Sequence, residues 1–340
     1  MKKISLISDG CTGNNIFDIN KKVLNRDDCL YFFFLLKKKL SEQKIDLSTS
    51  DINSLESSCA AFYFDISDRQ KVQESSLPKY LFLFESEVIK PKGWRKPLQE
   101  NFDKIFTWND ELVDNKTYFK MNFTHKFPLH SAWSDSYQEF ENKKLCANIS
   151  GNKIVYHPLE LYTERVKAIK WFEQNHPEDF DLFGVGWDFP ASKFKIAKLF
   201  FRLIRNFGVM PKLYLSYKGK VESKNQTLRN YKFAICYENA KDIPGYITEK
   251  IFDCFFAGCV PIYWGAPNVL EHIPKQCFID RRKFSSYENL YKYLSTMPKE
   301  EYLKYISAIE QFIFSDNKAI PFKAEEFVKT VIEHVKNDIQ

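Results

Sequence analysis

Residues Tyr231–Asp280, YKFAICYENAKDIPGYITEKIFDCFFAGCVPIYWGAPNVLEHIPKQCFID, decide the fold. Phe233 to Tyr237 is a short apolar run of strand formers that stops at Glu238 and Asn239, so two polar side chains arrive at a strand's carboxyl end. In an open α/β sheet, ligands bind along that edge. After the Pro244-Gly245 turn, Thr248 is placed to cap a helix in which Ile251, Phe252, Phe255 and Phe256 share one buried face, and Gly258 ends it. Val260 to Trp264 reads as a second buried strand, closed by Gly265 and Pro267. The unit is strand, loop, helix, strand: a βαβ crossover.

The first turn of that helix carries Thr248, Glu249 and Lys250. Free N–H groups and the positive end of the helix dipole favour an anion there, and Lys250 adds a full charge. A diphosphate meets those requirements, while the Glu249 carboxylate suits a sugar or ribose hydroxyl pair because it accepts two hydrogen bonds. The same residues also serve as an ordinary cap with a solvated lysine, so both roles stay open at this point.

The pattern Tyr231-Lys-Phe, Cys236-Tyr-Glu238-Asn239, Gly245-Tyr246-Ile-Thr248-Glu249-Lys250, Gly258-Cys-Val-Pro261-Ile-Tyr263-Trp264-Gly265 closely resembles the signature of the α-1,3/4-fucosyltransferases, glycosyltransferase family 10. It runs over roughly 35 residues, far longer than a phosphate-loop motif. The resemblance, of bacterial type, implies an α/β GT-B fold: two Rossmann-like domains facing a cleft. It also implies inverting transfer of L-fucose from GDP-fucose to a hydroxyl of an acceptor glycan. No cofactor is implied beyond the donor itself, and metal is not obligatory, Mn²⁺ or Mg²⁺ being at most stimulatory. Basic residues would neutralise the leaving diphosphate.

Length and composition agree with that outline. At 340 residues the chain is long enough for two domains, each with its own core. The net charge of +6 fits an anionic donor or a membrane surface better than a nucleic acid, for which no motif is present. The eight cysteines show no C-x-x-C pair and read as reduced core residues. Asn122, Asn148 and Asn225 head glycosylation patterns that carry meaning only in a secretory compartment. Nothing approaches the ~18 uninterrupted apolar residues of a membrane span, and the amino terminus has too short an apolar segment for a signal peptide, so a cytoplasmic location is expected.

The amino-terminal half reads as four strands, Lys3 to Ser8, Ala60 to Asp65, Tyr80 to Phe84 and Lys104 to Trp108, with a helix from about Asp28 to Leu40. Strand Tyr80 to Phe84 empties into Glu85-Ser86-Glu87. A carboxylate at a sheet's carboxyl edge is partly desolvated and made more basic, as the base of an inverting transferase must be. The resemblance places that base at Glu85, with Glu87 as the competing position. Domain crossover falls in the polar stretch Asn109 to Lys144. The expected boundaries are 1–145 for an acceptor-binding domain, 146–320 for a donor-binding domain and 321–340 for a terminal helix packing back on the first.

Within the second half, Leu145 to Asn152 resembles the strand and small polar loop that open the family's donor domain, and Arg165 falls on a helix from Glu160 to Asn175. The resemblance assigns donor contacts to Arg165, Lys224, Glu238, Asn239, Tyr246, Thr248, Glu249 and Lys250, with a guanidinium fork well suited to a diphosphate. Gly184-Val-Gly186 lacks the third glycine of a dinucleotide fingerprint, and Asp179-Phe-Asp181 precedes a strand and reads as surface, so neither an NAD site nor a metal is expected. Ser192 to Phe207 interleaves Lys193, Lys195 and Lys198 with apolar residues. It fits a helix lying on an anionic membrane, as an enzyme of lipopolysaccharide or other surface-glycan synthesis would need, and fits equally a helix packed on the sheet. Two rivals remain open: the same fold with another nucleotide-sugar donor, and a catalytically silent glycan- or nucleotide-binding protein.

Overall fold

The structure, a computed structural model, describes residues 1–21, 23–129, 140–191 and 213–339. Its frame is two wholly parallel sheets. In the first, strands β1 (Lys2–Ser8), β2 (Ile45–Thr49), β3 (Ala60–Phe64), β4 (Lys79–Leu83), β5 (Lys104–Thr107) and β6 (Tyr118–Lys120) take the order β2-β1-β3-β4-β5-β6. The second holds β7 (Lys144–Ile149), β8 (Phe180–Phe183), β9 (Tyr231–Tyr237), β10 (Val260–Trp264) and β11 (Ile279–Asp280) in the order β11-β10-β9-β7-β8. Continuous apolar runs such as Ala60–Phe64, every residue buried, are what a parallel sheet covered on both faces requires. These are the two Rossmann-like layers of a GT-B frame.

Strands β2, β6 and β11 escape the sequence reading. Ile45–Thr49 has only two large apolar residues, Tyr118–Lys120 is three residues long and Ile279–Asp280 two, so each owes its form to the neighbour it pairs with. The first long helix begins later than expected, at Tyr31, because Asp27 adopts a left-handed conformation with φ of 52°. The Ser192–Phe207 segment and the His130–Glu139 part of the crossover lie outside the described residues. Among the described residues, no helix is long and apolar enough to cross a membrane.

The final helix, Ala324–Val335, joins the core of the first sheet. Phe327, Val328 and Val331 share a buried cluster with Phe62, Phe82 and Phe106, and Phe327 meets Phe32 edge-on at 5.3 Å. Backbone bonds from His125 N to Phe322 O and from Ala324 N to His125 O, each 2.9 Å, fix the return crossing.

Two further contacts set the sheets' edges against each other. Trp108 packs against Tyr246, ring centroids 4.6 Å apart and planes tilted by 47°, within a small buried cluster that includes Val88 and Ile243. Gly245 permits that approach: its φ is 79°, and a Cβ there would lie 2.2 Å from the Trp108 carbonyl oxygen. Beside it the Asp110 carboxylate is met by Lys120 Nζ at 2.5 Å, Asn268 Nδ2 at 2.8 Å and His272 Nε2 at 3.0 Å. Despite the cost of its burial, the bonds from His272 and Lys120 hold Asp110 well below the usual carboxylate range.

Some local expectations change. Asp181 is buried rather than at the surface, because its carboxylate accepts from the Tyr231 hydroxyl at 2.7 Å and pairs with Lys144 at 2.9 Å. Of the eight free cysteines, five are buried as expected, but Cys29 is exposed and Cys11 and Cys59 are partly so. Asn122 and Asn148 are buried, which removes them as glycan acceptors in the folded chain.

Candidate active site

In the second sheet β7 is flanked by β8 on one side and β9 on the other, so a crevice opens where their carboxyl ends diverge. A cavity of about 370 Å³ occupies it. The floor comes from Asn148 to Gly151, the last two residues of β7 and the two that follow, and from Tyr237 and Asn239 at the end of β9. Gly184 shapes the edge: with φ of 124° and its Cβ position 1.9 Å from the Ser150 carbonyl oxygen, no side chain fits there. Lys153, Arg165, Lys224, Glu249 and Lys250 supply charge, and Arg26 and Glu85 face them from the first domain.

Each cation is held by local structure. Arg165, on the Tyr162–Asn175 helix and 3% exposed, donates from Nη2 to the carbonyls of Tyr237 at 2.8 Å and Glu238 at 3.1 Å, which ties the guanidinium to the end of β9. Thr248 caps the Glu249–Ala257 helix, and Gly258 ends it in a left-handed turn, as the sequence implies. Lys250 Nζ reaches Thr248 Oγ1 at 3.0 Å, Glu238 Oε2 at 3.3 Å and Glu249 Oε1 at 3.5 Å. Burial opposes its charge, yet Glu249 and Glu238 hold the ammonium well above its ordinary range. Lys224 pairs with Asp253 at 2.5 Å and lies 3.8 Å from Glu249. Glu249, whose side chain is partly exposed, is kept ionised against some desolvation by Lys250 and Lys224.

Glu85 is different. It directly follows β4, and burial together with the nearby Asp65 raises its carboxyl to about 7, with Lys250 working in the other direction. Asp65 is itself raised to about 6 by burial, and its Oδ1 accepts the backbone N–H groups of Phe84 at 2.9 Å and Glu85 at 3.0 Å. One carboxylate therefore both fixes the Glu85 backbone and makes its side chain harder to ionise. Glu87 is exposed and lines a separate hollow with Trp94 and Gln99.

Of the residues assigned from the sequence, Glu85, Arg165, Lys224, Asn239, Glu249 and Lys250 line this cavity. Glu238, Tyr246 and Thr248 stand outside its lining. Glu238 is wholly buried, its carboxylate accepting from Thr248 N at 2.8 Å and Thr248 Oγ1 at 2.6 Å, so the two brace Lys250 from behind. Tyr246 is turned against Trp108 and Phe123. The sequence reading missed Tyr162, hidden in an apolar helical periodicity, and Asp65, which stands at the end of β3 as Glu85 stands after β4. Among the described residues one cluster has metal-ligand spacing, His176, Glu178 and Asp179, and none of its members lines the cavity.

A second cavity, of about 790 Å³, adjoins the first and shares Arg26, Lys224, Glu249 and Asp253 with it. Phe32, Phe84, Phe123, Phe127 and Phe256 give it aromatic walls.

Residues 203–331 match the profile of the glycosyltransferase family 10 (fucosyltransferase) C-terminal domain. An α-(1,3)-fucosyltransferase of Helicobacter pylori is 38% identical over 74 residues, 22% of this chain and 15% of that protein. Structural likeness is broader. A crystal structure of an α1,3-fucosyltransferase with GDP-fucose superposes with a TM-score of 0.57 at 17% identity, covering 100% of this chain and 90% of that one. HepE of Anabaena, in complex with UDP and glucose, gives a TM-score of 0.54 at 11% identity over 99% and 100% of the two chains. At such identities the likeness concerns the fold, GT-B.

Proposed function

We propose that the cleft of this chain, whose residues 203–331 match the glycosyltransferase family 10 (fucosyltransferase) C-terminal profile, transfers L-fucose from GDP-fucose to a hydroxyl of an acceptor glycan, with inversion at the anomeric carbon. The observation that carries this reading is a single cavity in which Glu85, a carboxylate raised to about 7, faces a cluster of fixed cations from the other domain.

The donor occupies the smaller cavity. Its diphosphate lies against Lys250, Arg165 and the amino end of the Glu249–Ala257 helix, where the lysine's charge and the positive end of the helix dipole coincide. Glu249 is the acceptor for a donor hydroxyl pair. The acceptor glycan takes the larger cavity, where phenylalanine rings suit the apolar faces of sugars. Glu85 removes the acceptor proton as that oxygen bonds to the anomeric carbon and the bond to the β-phosphate oxygen breaks. The electron pair leaves with GDP, and the fixed cations, already oriented, stabilise the growing charge without rearranging.

A transfer assay with GDP-fucose, GDP-mannose and UDP-glucose against a panel of glycans tests the reading. Fucosylated product from GDP-fucose alone is expected. Product from UDP-glucose instead would assign another donor to the same frame, and nucleotide binding without transfer or hydrolysis from any donor would make the protein a binder.

A further inference from the structure

The donor cavity is bordered by a polar group that no atom of the described residues satisfies. Tyr162 opens the Tyr162–Asn175 helix and is only 5% exposed, yet its hydroxyl has no hydrogen-bond partner among the described residues. A buried hydroxyl left so costs stability, which a phenylalanine at the same place would avoid. Its ring carries the Arg165 guanidinium at 5.0 Å and lines the cavity with Lys250 and Glu85. Burial pushes the phenol above its ordinary range, and after burial the charges it feels are Arg165, Lys250 and Glu85 in that order. At neutral pH it is therefore a protonated donor standing among the groups assigned to the diphosphate and to the acceptor proton.

We propose that Tyr162 Oη donates a hydrogen bond to the β-phosphate of the bound donor, at the oxygen that leaves the anomeric carbon. The inference rests on the nucleotide-sugar reading of the cavity. Tyr162 keeps its proton throughout: the carbon–oxygen bond breaks toward the phosphate, the acceptor's proton goes to Glu85, and the phenol's bond strengthens as negative charge builds on the oxygen it touches. Aromatic stacking over Arg165 aims both donors at one diphosphate.

The test is Tyr162→Phe, which keeps the ring over Arg165 and deletes only the hydroxyl. Calorimetry should find GDP bound about tenfold more weakly and GMP, which lacks the β-phosphate, bound as by the wild type, in line with loss of one hydrogen bond to a charged group. The fucosyl-transfer kcat should fall by at least the same factor. Unchanged GDP affinity and kcat would overturn the proposal, as would equal weakening of GDP and GMP, which would make the ring a wall of the pocket and nothing more. Wild-type protein assayed alongside separates the two levels: no transfer from GDP-fucose by the wild type defeats the donor reading, whereas an active wild type matched by the variant defeats only the role of Tyr162. Should the phenylalanine form fail to fold, 3-fluorotyrosine at 162, a stronger donor of nearly the same shape, should tighten GDP relative to GMP, and no change would again overturn the assignment.

Discussion

The two walls of the cleft follow opposite electrostatic plans. On the wall built by the second sheet Lys250, Lys224 and Arg165 each have counterparts: Lys250 lies among Glu238, Thr248 and Glu249, Lys224 lies on Asp253, and Arg165 is bonded to two carbonyls. The facing wall offers Glu85, partly buried, with a second acid behind it, and it is raised to about 7. Compensated charges stay ionised and stay in place, which is what binding a diphosphate asks. An undercompensated carboxylate moves its proton near neutral pH, which is what a general base asks. On the proposed reading binding and reactivity are divided between the two domains, so a variant of Glu85 should leave nucleotide binding intact, whereas Lys250, which lowers the Glu85 carboxyl, couples the walls in the other direction.

The largest effect should come from the reactive wall. Glu85→Gln is expected to lower transfer by about 10²-fold or more, as for the loss of a general base, while GDP binds as before. Glu87→Gln, in a separate hollow, should stay close to wild type. A reversed pair of effects would move the base to Glu87 and break the comparison.

On the binding wall, Arg165→Ala and Lys250→Ala should each weaken GDP by roughly 10- to 100-fold in calorimetry, from the loss of a charged hydrogen-bond donor. Lys250→Ala has a second consequence, since the buried Glu238 carboxylate then keeps only its Thr248 bonds. Its melting temperature should therefore drop as well. Unaltered GDP affinity in both variants would remove the diphosphate from this wall.

The smallest effect is expected from chelation. With the leaving diphosphate neutralised by Lys250, Arg165 and a helix amino terminus, transfer should continue in EDTA at close to its untreated rate. Full loss in EDTA with rescue by Mn²⁺ would assign part of that task to a cation.

How much of this was legible in the sequence differs between the walls in the same way. The unit from Tyr231 to Trp264 announced its strands, cap and closing glycine because each rests on local chemistry: an apolar run, a threonine before a helix, a glycine after it. Glu85 could be found from its place after an apolar strand. Orientation was harder to read. Tyr246 follows a glycine at φ of 79°, and that turn sends the ring to Trp108 and away from the cavity, a choice made by the partner domain and invisible in the local sequence. Glu238 carries the right chemistry at the right edge, but Thr248 claims its carboxylate from ten residues away. Tyr162 falls at helical spacing with Val166, Ile169 and Phe172, so nothing in the sequence sets its hydroxyl apart from an apolar stripe.

The claim that the reactive wall holds an undercompensated base is tested most directly by the pH dependence of kcat/KM. Because the folded protein raises the Glu85 carboxyl, the rate should be low in acid, rise through about pH 7 as the side chain ionises, and level off above it. Asp65→Asn, which removes the neighbouring acid while keeping an oxygen for the two backbone N–H groups, should move that rise to lower pH. A rise already complete near pH 5 in the wild type, or one that Asp65→Asn leaves unmoved, would contradict the account.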